Sequence, residues 1–221
     1  KVPANFLRRA REQNRQRIVR WLSTPLTATQ QQASRASRWD WREHGAVTAV
    51  RPAQACGDCW AFASAGAFEA AYRIANFTPT AAVAEPDSSE QDILSCSRDG
   101  DCSGGWVAFR YVQRHSVATQ SDYPYVGTDA ACRSVARPYR AAAWGYVSED
   151  DEVPGINKLK DNIVKYGPLW VAMRAPDSFI YWSTDDVFDD SDDGDVNHAV
   201  LLVGWDDQKG AWLIRNSWGT G

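Results

Sequence analysis

Five cysteines constrain this chain more than any other feature: Cys56, Cys59, Cys96, Cys102 and Cys132. An odd count cannot be paired off completely, so the pattern predicts bridges plus one free thiol. Cys56-Gly57-Asp58-Cys59 leads into Trp60-Ala61-Phe62. Taken alone, a CxxC ahead of a helix has three readings: a redox pair, half of a zinc site, or a bridged cysteine beside a nucleophile. A thioredoxin-like redox pair should follow a strand, and Arg51-Pro52-Ala53-Gln54-Ala55 does not make a convincing one. A zinc site wants a second tight Cys or His pair, yet Cys96 and Cys102 are six apart and Cys132 stands alone. On the cysteines alone the three readings stay open.

The strongest helix signal follows directly, over residues 59–75, which are alanine-rich and free of proline, with Gly57 permitting a tight turn before them. Residues 5–22 read as a basic helix with a broken apolar stripe, and the stretch after Pro25 to Ser37 reads as a linker without a core of its own. The body begins near Trp39-Asp40-Trp41. Further helices are expected near Ser88, where Ser88-x-x-Gln91 resembles a capping box, from Trp106 to Arg114, and from Asn157 to Tyr166 before Gly167-Pro168. Strands are expected at Leu169–Met173, Ala199–Trp205 and Ala211–Arg215. Helices first and strands later define an α+β chain with segregated lobes. Its 221 residues suffice for one large domain or two small lobes.

No apolar run approaches bilayer length, so no transmembrane helix is expected. Residues 1–37 carry eight Lys or Arg against one Glu, whereas residues 38–221 carry sixteen against twenty-seven Asp or Glu. An acidic body repels a polyanion, so the basic arm is expected to bind its own body rather than nucleic acid.

Two distant clusters decide among the cysteine readings. His198, within Val196-Asn197-His198-Ala199-Val200, lies 139 residues after Cys59, and Asn216, opening Asn216-Ser217-Trp218-Gly219, lies 157 after it. Asp40-Trp41-Arg42, Gly45-Ala46-Val47-Thr48, Ser89-Glu90-Gln91, Cys102-Ser103-Gly104-Gly105 and Tyr123-Pro124-Tyr125 precede them in order. From about Trp39 to Gly221 the chain resembles the papain family of cysteine peptidases, which includes the cathepsins.

The resemblance implies a two-lobed papain-like α+β fold. A helical left lobe (about 45–145) carries Cys59, a β-rich right lobe (about 146–221) carries His198 and Asn216, and the cleft lies between them. It implies a peptidase domain at 38–221 behind a prosegment-like arm at 1–37. The activity implied is endopeptidase hydrolysis through a Cys59 thioester, with His198 as base, Asn216 orienting the imidazole and Trp218 covering that contact. A helix N-terminus and an imidazolium both favour a thiolate, which is why these residue types suit the chemistry. By the same resemblance Cys56 pairs with Cys102 and Cys96 with Cys132. Gly104 and Gly105 would lie along an extended substrate, and Trp106, Val107, Ala172, Val196 and Ala199 would wall an apolar specificity pocket. No metal and no organic cofactor are implied. The partners expected are a peptide or protein substrate and the chain's own arm, with no membrane and no nucleic acid, on a monomer. Two bridges fit secretion or a lysosome- or vacuole-like oxidising compartment.

Three departures qualify this. The family's oxyanion-hole glutamine stands six residues before the nucleophile, where this chain has Ala53; Gln54 is one residue displaced. Relatives continue well past the position of Gly221. The arm is short and strongly basic, and the Asp-rich run Asp185, Asp186, Asp189, Asp190, Asp192, Asp193 and Asp195 before His198 is its expected dock. The competing functions are a weakened or inactive peptide-binding relative, a thiol oxidoreductase built on Cys56 and Cys59, and a transpeptidase on the same residues.

Overall fold

The structure, a computed structural model, describes residues 3, 5–15, 24–76, 85–182 and 186–220. Residues 16–22 of the expected basic helix, Asp185 of the acidic run and Gly221 lie outside them.

Helix α3 (Cys59–Asn76) is the central element of one lobe. From Cys59 to Ala70 nearly every side chain is buried, so the helix is apolar all round rather than amphipathic. Its alanines keep it thin enough to lie against strand β5 (His198–Asp206) on one side and helix α4 (Glu90–Cys96) on the other. Trp60, Ile93, Val112 and Val117 fill this core. Helix α4 starts one residue later than its sequence signal: Ser89, not Ser88, accepts the Asp92 N–H at 2.9 Å and caps it. The reason is that Ser88 is already used, its hydroxyl and its N–H both donating to Glu69 at 2.8 Å. Helix α5 (Phe109–His115) begins later than Trp106 because Trp106 is drawn back into a turn by its N–H bond to the Asp99 carbonyl, 3.0 Å. The short strands β2 (Gly100–Asp101) and β3 (Gly104–Gly105) form a hairpin beside the start of α3.

The second lobe is an antiparallel sheet built around β5. Strands β4 (Leu169–Met173) and β1 (Arg38–Asp40) pair in turn with its two halves, and β6 (Ala211–Arg215) pairs along Leu201–Asp206. Since β6 overlaps both, it takes the opposite edge of β5. At Gly204 a Cβ would stand 1.9 Å from the Trp39 carbonyl oxygen, so the β1 crossing demands glycine there. Helix α6 (Ile156–Tyr166) packs Ile163 and Val164 under Leu202 and Trp205. The remaining short helix, α7 (Asp177–Ile180), follows β4.

Residues 25–37, expected as a linker, are ordered instead. Helix α2 (Ala28–Ser34) opens with a full capping box, Thr27 with Gln30, and lies on α6. The Trp205 indole donates to the Ala36 carbonyl at 3.0 Å, and Arg35 pairs with Asp161 at 2.9 Å.

Helix α1 (Phe6–Asn14) packs on the body through its C-terminal amides and Phe6. Gln13 and Asn14 donate to the carbonyls of Trp144 and Tyr146 at 3.1 and 2.9 Å, and the Tyr146 N–H returns a bond to Asn14 Oδ1. Phe6 meets Tyr146 and Trp106 edge-on, with ring centroids at 5.2 and 6.1 Å. Helix α1 thus lies on segment 144–150, and within the Asp-rich run Arg174 pairs with Asp192 at 2.6 Å.

Candidate active site

Cys59 is the first residue of α3 and the one free cysteine among the described residues; the other four are joined as Cys56–Cys102 and Cys96–Cys132. With Cys56 bonded to Cys102, a redox pair with Cys59 does not exist in this structure. His198 opens β5, and Asn216 follows the last residue of β6, so the β5–β6 pairing brings the two together. His198 Nε2 lies 2.8 Å from Asn216 Oδ1, and the Ser217 N–H donates to the same oxygen at 2.9 Å. That second donor identifies the atom as the amide oxygen, so the proton sits on Nε2 and Nδ1 is left without it. Trp218 stacks on the imidazole at 4.7 Å, and Phe179 of α7 backs Trp218 at 5.5 Å.

Burial raises the Cys59 thiol, and the backbone N–H of Ala199 partly opposes this. Burial lowers His198, opposed by its bond to Asn216. Each group alone therefore prefers neutrality.

Gln54 lies beside this site but is held. Its Nε2 donates to the Cys56 carbonyl at 2.8 Å, its Oε1 accepts from Ser217 Oγ at 2.5 Å, and its N–H donates to the Ser217 carbonyl at 2.8 Å. One amide hydrogen is thus spent on the loop and one remains.

A cavity of about 1130 Å³ runs from Phe6, Trp106 and Tyr146 past Ala172 and Val196 to Asn216 and Trp218. Trp106, Ala172 and Val196 line it as expected. Val107 and Ala199 do not: Val107 is buried, and Ala199 faces a void of about 10 Å³ on the Arg215 side of β5. Alternation along a strand explains Ala199, since its neighbour His198 points the other way. Gly104 and Gly105 are exposed in β3; a Cβ on Gly105 would come 2.4 Å from the Trp60 indole, and Gly104 sits at φ 138°.

A buried ion network adjoins the site without any local sequence signal. Arg51 pairs with Glu69, with Asp87 at 2.7 Å and with Glu90 at 3.1 Å. Thr48 Oγ1 donates to Glu69 at 2.7 Å and accepts from Arg215 at 3.1 Å. Arg215 directly precedes Asn216, so this buried network clamps the end of β6 that carries Asn216. Burial raises Glu90 to about 7, against the pull of Arg51. Arginines spaced at 51 and 215 and acids at 69 and 90 have no local pattern that links them.

The model of the papain family cysteine protease matches residues 35–221. Cathepsin L of Sarcophaga peregrina is 36% identical over 194 residues, covering 82% of this chain and 54% of that protein. Cathepsin K of Mus musculus is 38% identical over 190 residues, covering 81% and 55%. Among solved structures, digestive procathepsin L2 of Tenebrio molitor larval midgut superposes with TM-score 0.68 at 33% identity, covering 83% of this chain and 59% of that one. Bromelain protease from Ananas comosus in complex with E64 gives 0.71 at 30%, covering 83% and 84%. The chain belongs to the papain family of cysteine proteases. It spans little more than half the length of the cathepsins it matches.

Proposed function

We propose that this chain is a cysteine endopeptidase acting through a Cys59 thioester. The observation that carries the reading is the Asn216-oriented imidazole, with its Nε2 bonded to the Asn216 amide oxygen and its Nδ1 uncommitted to that bond, in a chain whose free thiol heads α3. The thiol proton passes to Nδ1, and the thiolate attacks the peptide carbonyl carbon. Charge collects on the carbonyl oxygen, where the Cys59 N–H and the remaining hydrogen of Gln54 Nε2 are the available donors. As the tetrahedral intermediate collapses, the C–N bond breaks and His198 gives its Nδ1 proton to the departing amine. Water then adds to the thioester, His198 takes its proton, and the acid leaves with the thiolate restored. The apolar cavity beside Ala172 and Val196 suits an aliphatic or aromatic substrate side chain.

The domain reading is a peptidase body from residue 38 behind an arm at 1–37 that restrains it. Phe6 reaches the Trp106 end of the cavity, and Arg9 of α1 acts on Asp99, which burial raises to about 6. Acid neutralises Asp99 and weakens that hold. Two disulfides, Cys56–Cys102 and Cys96–Cys132, fit an oxidising compartment, and secretion or a lysosome- or vacuole-like location follows from it. No helix among the described residues is long and apolar enough to cross a membrane. A monomer without nucleic-acid partner completes the reading.

A second reading, a weakened peptide-binding relative, draws on one observation: both ends of the Gln54 amide are engaged by Cys56 and Ser217. Labelling with an E-64-type epoxide, located by mass spectrometry, separates the two. Stoichiometric modification of Cys59 that disappears in His198→Ala is expected of the peptidase. Absence of labelling in the full chain and in Phe6→Ala at pH 5 and 7 would sink it and favour the binder.

A further inference from the structure

Five carboxylates are buried among the described residues: Asp40, Asp58, Glu69, Glu90 and Asp92. Four have an arginine at their oxygens: Arg42 on Asp40, Arg51 on Glu69 and Glu90, Arg137 on Asp92. Asp58 has none, although its exposure is 0% and it directly precedes Cys59. Its backbone carbonyl begins α3 by accepting the Ala61 N–H at 2.8 Å, but its carboxylate takes no part in that cap. Oδ2 accepts the Tyr125 hydroxyl at 2.8 Å, and Oδ1 has no hydrogen-bond partner among the described residues. The Tyr125 oxygen in turn accepts the Ala55 N–H at 2.8 Å, within the loop that carries Gln54.

We propose, building on the peptidase reading, that Asp58 is a positioning residue whose charge limits the Cys59 thiolate to acid conditions. Buried and unmatched by a cation, a carboxylate is costly when ionised and is held neutral in acid. In that form it leaves sulfur undisturbed. As pH rises it ionises beside a developing thiolate, and two like charges at the head of one helix repel. The thiolate–imidazolium pair then reverts toward thiol and neutral imidazole, because the new charge acts on the sulfur of the adjoining residue and not on the ring. The groups facing Asp58 do not relieve it. Tyr125 donates one hydrogen bond, Asp129 adds further negative charge, and Cys59 itself is raised by Asp58. Glu90 of α4 faces Tyr125 and is also an acid. The raised ionisation of Asp58 by burial agrees with this geometry.

The test is the rate of Cys59 alkylation by iodoacetamide from pH 4 to 8, on the full chain, with the modified residue verified by mass. Wild-type reactivity is expected to step down as Asp58 ionises. Asp58→Asn should match wild type at pH 4.5 and react about tenfold faster at pH 7, the size of a one-unit interaction. Tyr125→Phe removes the bond that favours ionised Asp58, so its step should move to higher pH; this variant serves if Asp58→Asn does not fold. Profiles of both variants that parallel wild type, whatever their height, overturn the inference while leaving a fast-reacting Cys59 intact. A wild-type Cys59 that reacts no faster than a free thiol at any pH, and unchanged in His198→Ala, overturns the peptidase reading as well.

Discussion

Glu69 lies within helix α3 and Asp58 directly before it, both equally buried but with opposite surroundings. Glu69, in the body of α3, receives Arg51, the Thr48 hydroxyl, and both the N–H and hydroxyl of Ser88. Asp58, at its head, receives one phenol. The first is a structural knot: both of its oxygens are hydrogen-bonded and a guanidinium adjoins it, although burial still raises it. The second has no cation beside it and directly precedes the sulfur-bearing residue. A buried carboxylate is therefore read by its partners and not by its depth.

The comparison breaks most sharply on stability. Glu69→Ala strands Arg51 and Ser88 and is expected to cost about 3–5 kcal/mol, as for removing one partner of a buried pair. In a chain of this size that lowers Tm by roughly 10 °C in calorimetry. Asp58→Asn should move Tm by no more than about 2 °C; a loss equal to that of Glu69→Ala would erase the distinction.

Next in size is the loop that Tyr125 and Asp58 hold. Gln54→Ala is expected to lower kcat on a peptide substrate about 100-fold with KM unchanged, the scale for losing one oxyanion donor. A change under about threefold would assign Gln54 only to the Ser217 and Cys56 anchors.

A smaller effect sharpens the difference through pH. Glu90 has its folded value raised to about 7 from 4.5, and Asp99 to about 6 from 3.8, both by burial. The folded state then holds protons that the unfolded chain has released, so stability falls as pH rises from about 4.5 to 7. Thermal unfolding across this window should show a downward slope that Glu90→Gln flattens. A slope of equal size in the variant would place its origin elsewhere.

The least effect concerns the arm. Asp99→Asn removes a carboxylate that Arg9 and Arg110 act on. It is expected to raise hydrolysis at pH 7 by about twofold to threefold, consistent with a partly exposed pair, and to leave the rate at pH 5 unchanged. An equal gain at both values would deny acid any part in loosening α1.

Much of this was legible before any coordinates. Strands Leu169–Met173 and Ala211–Arg215 have the bounds their apolar runs suggest. Strand β5 gains His198 and Asp206 at its ends because the ladders to Met173, Ala211 and Arg38 extend it past its apolar run. The α2 capping box, Thr27 with Gln30, was visible but was masked by a polar composition that reads as linker. The position of α1 was not legible, since its anchors Trp144 and Tyr146 act through backbone carbonyls, which any residue supplies.

By itself the sequence determined which chemistry is present and in what order: one unpaired thiol at a helix head, then a histidine, then an asparagine after a strand. Such features are local, carried by residue type, spacing and periodicity along a few turns or strands. Only the tertiary structure decided what each polar group meets. It matched Glu69 with Arg51, tied Gln54 to Ser217 across 163 positions, and left Asp58 with a single tyrosine. Those pairings depend on how whole elements pack, and the charge a buried group carries depends on the pairings.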